Sequence, residues 1–218
     1  MAIDPNAKVQ LGFASFTEVE AGAHDSYNEW HLFDHLPEQL PIGGIAWGQR
    51  WVLTPALRER ALLTPPLDRV HYVTLYLVAE PVAPTLARFQ ALAGELRALG
   101  RFHEQRTSHL AGAFEVDAMA ATARVLVSPE AIPYRPHTGV HVCVQPARES
   151  VDLAELLAVD GVVGAWSFKG DEHRLTWCWL DSALADIDRA LADVPAPGAT
   201  FAATMQTINP FAAHDWFD

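Results

Sequence analysis

The chain has 218 residues, half of them hydrophobic, and a formal net charge of −12. This length fits one large domain or two of about 100 residues. The acidic balance, without a run of lysine or arginine, argues against nucleic acid or an anionic membrane as a partner. No apolar run approaches the about 20 residues that span a bilayer, and the first residues lack the pattern of a secretory signal, so we expect a cytoplasmic protein.

Hydrophobic periodicity divides residues 1–116 into four strands and two helices. The second helix has the apolar spacing of an amphipathic helix, since Leu86, Phe89, Leu92 and Leu96 recur at three- and four-residue intervals and Gly100 closes it. The predicted elements are a strand at Val9–Val19, a helix at Asp25–Leu40, strands at Ile45–Leu53 and Val70–Ala79, a helix at Pro84–Leu99 and a short strand at Ala111–Val116.

The same order of elements recurs after residues 117–138, a proline-containing segment that we interpret as a linker. Strand, helix, strand, strand, helix, strand is the order of a ferredoxin-like unit. We therefore predict an α+β fold of two tandem ferredoxin-like (βαββαβ) units, at 1–116 and 139–218. The predicted elements of the second unit are strands at Gly139–Gln145, Val162–Phe168, His173–Leu180 and Ala199–Thr207, with helices at Leu153–Val159 and Ser182–Val194.

The first predicted helix carries an unusual group of chemically active side chains. His31 and His35 are four residues apart, which places both imidazoles on one helix face, with Tyr27 one turn before them. Asp34 and Glu38 lie beside that face and are expected to raise the basicity of the imidazoles, so the group suits proton transfer near neutral pH. A half-buried structural histidine is the plainer alternative, and a zinc site completed from elsewhere in the chain is a third.

Two ferredoxin-like units can set their sheets face to face around a shared lumen. Alternation along the strands then predicts two sets of side chains, one packed on helices and one facing the lumen. The helix-packed set comprises Val73, Leu75, Leu77, Val140, Val142 and Val144. Lumen-facing side chains are expected to form a pocket for a small, mostly apolar ligand, together with Tyr27 and Trp30; they are Tyr72, Thr74, Tyr76, His141, Cys143 and Gln145. Cys143 and Cys178 lie in apolar runs and are predicted to be buried free thiols.

The pattern of the first helix resembles that of the EthD-like proteins of the dimeric α+β barrel superfamily. It consists of Trp30, His35, Leu36, Pro37 and Glu38, followed by the turn Gly43, Gly44 and Ile45. The resemblance implies a barrel fold, in which tandem units imitate a dimer within one chain. It also implies a cofactor-free reaction on a carbonyl, lactone or polyketide-like substrate, such as cyclisation, isomerisation, decarboxylation or oxygenation. The equivalent helix of the second unit has no histidine.

The leading hypothesis is a cofactor-independent lyase, isomerase or cyclase. His35 or His31 removes a proton next to a carbonyl, and Asp34 or Glu38 orients the imidazole. A lumen-facing hydroxyl or imidazole donates a hydrogen bond to the developing enolate. The expected donors are Tyr72, Tyr76 and His141.

Two alternatives stay open. Chlorite dismutase and the dye-decolourising peroxidases resemble this architecture, so a haem enzyme is one, with His137, His141 or His173 as the proximal ligand. The other is a non-catalytic ligand-binding or dimerisation module, with a homodimer as a compatible assembly. The tail bears on this, because Phe211, Trp216 and Phe217 are apolar enough to dock on the barrel or on a second subunit.

Overall fold

Eight antiparallel strands close into a barrel in the computed structural model, which describes residues 8–217. Hydrogen bonding between the second and last strands, at Trp51–Thr207 and Val52–Gln206, completes the ring. A ninth strand of two residues extends the last strand at the barrel edge. The strands are β1 (Val9–Val19), β2 (Ile45–Val52), β3 (Leu62–Leu63), β4 (Tyr72–Ala79), β5 (Arg106–Ala121), β6 (Gly139–Pro146), β7 (Val162–Lys169), β8 (His173–Leu180) and β9 (Phe201–Thr207).

The two halves of the chain have the same strand order. It is β2-β4-β1-β5 in the first half and β7-β8-β6-β9 in the second. All eight strands predicted from the sequence are present, although the short strand predicted at Ala111–Val116 is much longer. This strand, β5, runs on to Ala121 and pairs there with β7, so it joins the two halves.

Six helices lie in the described part of the chain, and they run α1 to α6. The predicted first helix is a continuous segment whose middle is a π-helical turn at His31–His35, between α1 and α2. Thr85 in α4 donates hydrogen bonds to the carbonyls of Gly43 and Pro81. Gly44 has a positive φ of 98°, and a Cβ there would lie 2.0 Å from the Thr85 hydroxyl, so only glycine fits this turn. The helices are α1 (His24–Trp30), α2 (Leu36–Gln39), α3 (Pro55–Arg58), α4 (Val82–Ala98), α5 (Leu153–Leu157) and α6 (Leu184–Ala192).

The predicted facing of the strands is wrong, because the aliphatic set fills the barrel interior as a packed core. Side chains of both halves meet there, as in the contacts of Trp177 with Phe16 (ring centroids 6.4 Å apart) and with Trp51 (5.4 Å). The residues predicted to pack on helices form this interior core together with tryptophans; they are Val73, Leu75, Leu77, Val140, Val142 and Val144. A closed ring of strands buries its inner face completely, so that face takes the most apolar side chains.

The tyrosines and polar residues of the same strands instead face the helices outside the barrel. Tyr76 packs against Phe89 of α4, with ring centroids 5.1 Å apart, and Tyr72 packs against Tyr27 of α1 at 5.0 Å. The two cysteines are free and buried, as predicted. No described helix has both the length and the apolar character needed to cross a bilayer.

The C-terminal tail returns to the first half. Phe217 stacks on the His24 ring with centroids 4.2 Å apart, and Trp216 packs against the same cluster around Tyr27 and Tyr72. Phe211 is exposed and does not dock on the barrel, while its docking on a second subunit stays a prediction. The ring of strands closes within one chain, and the end of the described tail packs on its first half.

Candidate functional site

A cavity of about 180 Å³ lies between the outer face of the first half of the barrel and its helices. Strands β1, β4 and β5 form its floor, the π-helical turn forms one wall, and α4 forms another. The lining is mostly aromatic and apolar with a few polar groups, which is typical of small-molecule sites. The lining residues that carry chemistry are Tyr27, Trp30, His31, His35, Gln39, Thr74, Tyr76 and Arg106.

The π-helical turn brings both imidazoles of the predicted site to this cavity. His31 and His35 are buried, with ring centroids 5.4 Å apart, and Trp30 stacks on His35 at 4.4 Å. The Gln39 amide nitrogen donates a hydrogen bond to His35 Nε2 at 2.9 Å, so this nitrogen is an acceptor and the ring is neutral. Among the described residues, no other residue bonds either ring nitrogen of His31, and its Nδ1 is fully buried. Nε2 of His31 is therefore the imidazole nitrogen available to a bound molecule. Single π-helical turns occur often at functional sites.

Burial and nearby arginines lower the basicity of both imidazoles, contrary to the sequence-based expectation. Burial is the largest cause, and it lowers the pKa of His35 to about 4 against the weaker opposing effect of Asp34. Burial, followed by the positive charge of Arg50, holds the pKa of His31 well below its ordinary value. Both rings are neutral at pH 7.

Asp34 and Glu38 do not orient the imidazoles. Both carboxylates bind Arg101 on the outer side of the helix, with Nη2–oxygen distances of 2.8 and 2.7 Å. The predicted contact with His31 or His35 is therefore wrong, because a solvent-facing guanidinium engages these carboxylates. Such partly exposed pairs contribute little to stability.

Two arginines that the sequence did not single out make this region electropositive. Arg50 is fully buried between the rings of Tyr27 and Tyr72, each 5.0 Å from the guanidinium carbon, and donates to Asn28 Oδ1 at 2.7 Å. Within residues 8–217, no carboxylate forms a salt bridge with it. Arg106 lines the cavity, and its guanidinium lies over the rings of Trp30 and Phe102. An arginine within the strand β2, directly before Trp51 and Val52, was the signal that could have revealed Arg50.

The remaining predicted pocket residues are divided among three places. Tyr76 lines the cavity with a buried hydroxyl that has no described partner, and burial raises its pKa. Tyr72 lies behind the cavity, where its hydroxyl contacts His24 Nδ1 at 3.0 Å and accepts from Asn28 at 3.2 Å. His141 lies on the second half, in a different cavity. The sequence-based grouping of His141 with the tyrosines is therefore wrong.

The three histidines considered as haem ligands lie in different surroundings. His137 has both ring nitrogens engaged, since Nε2 accepts from Trp51 at 3.2 Å and Nδ1 bonds the Arg135 carbonyl at 2.9 Å. His141 opens onto a cavity of about 190 Å³, whereas drug-sized ligands already occupy about 300–1,000 Å³. His173 lies at the start of β8 and lines none of the cavities described above. No cluster of three histidine, cysteine or acidic side chains suited to a metal ion occurs among residues 8–217.

Comparison with solved structures identifies the architecture. A protein assigned as a chlorite dismutase superimposes with a TM-score of 0.53 and 9% sequence identity, covering 93% of this chain and 96% of the other. A protein assigned as a monooxygenase from Fusobacterium nucleatum subsp. nucleatum gives 0.50 and 11%, covering 94% of each chain. This chain has an α+β barrel of the dimeric α+β barrel type.

Likeness at this level of identity concerns the fold alone. An anthrone oxidase-like protein is also similar, with a TM-score of 0.49 and 13% identity over 95% of this chain and 94% of the other. No protein-family model matches the chain, and a search of curated proteins finds no match. The case for a function therefore rests on the cavity itself.

Proposed function

We propose that the cavity beside the π-helical turn is the active site of a cofactor-independent lyase, isomerase or cyclase acting on a small, largely apolar carbonyl compound. The observation that carries this proposal is a neutral imidazole, His31, with its Nε2 unengaged by any described residue at an aromatic cavity. His31 is the general base. His35 is a positioning residue, because Gln39 holds one of its nitrogens and the other is buried.

In the proposed reaction, His31 Nε2 takes a proton from the carbon next to the carbonyl, and the electron pair of the broken C–H bond forms an enolate. Tyr76 keeps its proton, because burial raises its pKa, and can donate it in a hydrogen bond to the enolate oxygen. The enolate then recovers the proton from His31 at another carbon, expels a leaving group that takes this proton, or attacks a second carbonyl whose oxygen takes it. These three outcomes correspond to an isomerase, a lyase and a cyclase.

The arginines explain how a base of low pKa can work. Positive charge from Arg50 and Arg106 disfavours the imidazolium before reaction. The same charges stabilise an enolate. Their net effect therefore favours imidazolium that forms together with an enolate over imidazolium that forms without a bound substrate. A carbonyl compound whose enolate is partly stabilised by an aromatic ring fits both the charge and the aromatic lining.

We further propose that the two halves are tandem ferredoxin-like units and that the chain is related to the EthD-like proteins. Their identical strand order supports the first statement. The motif of Trp30, His35 and Glu38 supports the second, with the difference that Glu38 binds Arg101 here.

The test is deuterium incorporation from D₂O into a panel of small aryl ketones, β-diketones and lactones, followed by proton NMR. This readout needs no knowledge of the final product, because it records removal of the acidic proton. We expect catalysed exchange with the native chain and its loss in His31→Gln. His173→Gln is the matched control, since His173 lies outside the cavity, and it should exchange like the native chain. Equal exchange by native protein and folded His31→Gln would refute the proposal.

A further inference from the structure

A second cavity, of about 190 Å³, lies at the corresponding place on the other half of the barrel, between strands β6 and β8 and helices α5 and α6. We propose that it is a separate binding site for a small uncharged molecule with an apolar body and one hydroxyl or carbonyl group. This inference does not depend on the proposed activity of the first cavity.

The two cavities have matching floors. In the first, Phe13, Ser15 and Thr17 point from β1, the first strand of that half. In the second, His141, Cys143 and Gln145 point from β6, the first strand of its half. Helix α5, which faces the floor of the second cavity, has no histidine. The second half therefore has a cavity like the first but without a pair of imidazoles on its helix.

Buried polar groups form the floor of the second cavity. Thr176, on β8, is 2% exposed, and its hydroxyl has no hydrogen-bond partner among residues 8–217. An unpaired buried hydroxyl costs about 1–3 kcal/mol, so a ligand that pairs with it is favoured. His141 Nδ1 contacts the Thr204 hydroxyl at 3.1 Å, and its Nε2 bonds no described residue. The cavity therefore offers two unpaired polar groups close to the same floor.

A hydrogen bond from the floor of the second cavity also holds the loop beside it in place. Gln145 donates through Nε2 to the Pro197 carbonyl at 3.1 Å, which ties the loop after α6 to strand β6. Leu156 of α5 and Leu191 of α6 supply the apolar walls. An engineered cavity of about 150 Å³ accepts benzene in another protein, so a single-ring alcohol fits this volume.

The charge of the second cavity selects a neutral ligand. Burial lowers the pKa of His141 to about 4 and raises the pKa of Cys143 to about 12, so both are neutral at pH 7. No lysine or arginine lines the cavity, while Asp152 and Glu155 do. Arg60 lines a neighbouring cavity that shares His141, where it faces Asp188 at 3.7 Å. An anion would meet carboxylates here, in contrast to the arginine-lined first cavity.

The probe is benzyl alcohol, with benzoate as an anion of the same shape, titrated into the full chain uniformly labelled with ¹⁵N. We expect benzyl alcohol to shift the amide signals of β6 and β8, and benzoate to leave them unchanged. Loss of one hydrogen bond predicts about fivefold weaker binding in Thr176→Val. Thr176→Ser keeps the hydroxyl and should bind like the native chain.

Three results would overturn the proposal. They are the absence of amide shifts up to the solubility limit of benzyl alcohol, shifts confined to β1 and β4, and equal binding of alcohol and benzoate. A second readout needs no variant at Thr176. Benzyl alcohol should slow the reaction of Cys143 with a small neutral thiosulfonate, and an unchanged rate with bound alcohol would also contradict the assignment.

Discussion

Replacing His35 with glutamine should make the stability of the protein less sensitive to acid. Burial and Arg106 lower the pKa of His35 from 6.5 to about 4. The unfolded chain therefore binds a proton at a higher pH than the folded chain. The stabilising contribution is fully present above pH 6.5 and is lost as the pH falls towards 4. Each pKa unit corresponds to about 1.4 kcal/mol, so the contribution lost is about 3 kcal/mol.

The assay is urea unfolding followed by tryptophan fluorescence, at pH 7.5 and pH 4.5, for the native chain and His35→Gln. The quantity compared is the loss of unfolding free energy between the two pH values, which removes any constant effect of the substitution. At pH 4.5, which is still above the folded pKa, we expect the native chain to have lost about 2.5 kcal/mol more than the variant. Equal losses, or a native chain that gains relative stability in acid, would refute the reasoning. A gain in relative stability at acid pH would indicate that carboxylates raise the pKa of His35.

Two further predictions concern the barrel core and the tail. Gly12→Ala places a methyl group 2.8 Å from a ring carbon of Phe168 across the barrel interior, so it should cost about 1–3 kcal/mol in urea unfolding. Gly112→Ala, whose added carbon meets nothing closer than 3.8 Å, is the control, and an equal cost in both would contradict the packed interior. Phe217→Ala should lower stability by about 0.5–1.5 kcal/mol by removing an aromatic stack. Phe211→Ala removes an exposed ring and should leave the unfolding free energy unchanged. A larger loss of stability in Phe211→Ala than in Phe217→Ala would contradict the packing of Phe217 on His24.

Strand and helix positions were predictable because they depend on local periodicity. The strand predicted at His173–Leu180 has those bounds in the structure. Which face of each strand points inward was not predictable in the same way. Alternation of residues such as Val142 and Cys143 shows that the strand has two different faces. The local sequence does not determine whether the more apolar face is covered by helices or by the opposite side of the barrel. Ring closure decides that question, and it depends on contacts between residues far apart in the sequence, such as Trp51 and Trp177.

The candidate site was predictable in part. The histidine spacing identified the helix that lines this cavity, and Trp30 and Tyr76 line it as well. The π-helical turn was not predictable, because it depends on how the helix packs on the sheet. The low basicity of the imidazoles also depends on burial and on Arg50, which is 15 residues beyond His35 in sequence and on another element. The ion pair of Asp34 with Arg101 was not predictable either, because it joins residues that are far apart in the sequence.

The central claim is that His31 is a neutral imidazole at the first cavity at neutral pH. Its most direct test is the ¹⁵N NMR spectrum of histidine side chains, with the His31 signal assigned by its absence in His31→Gln. The account predicts that His31 remains neutral at pH 5.5, with two distinct ring nitrogen signals. A His31 ring that is protonated at pH 5.5 would contradict the account, because the cavity would then hold a ready-made cation and no base.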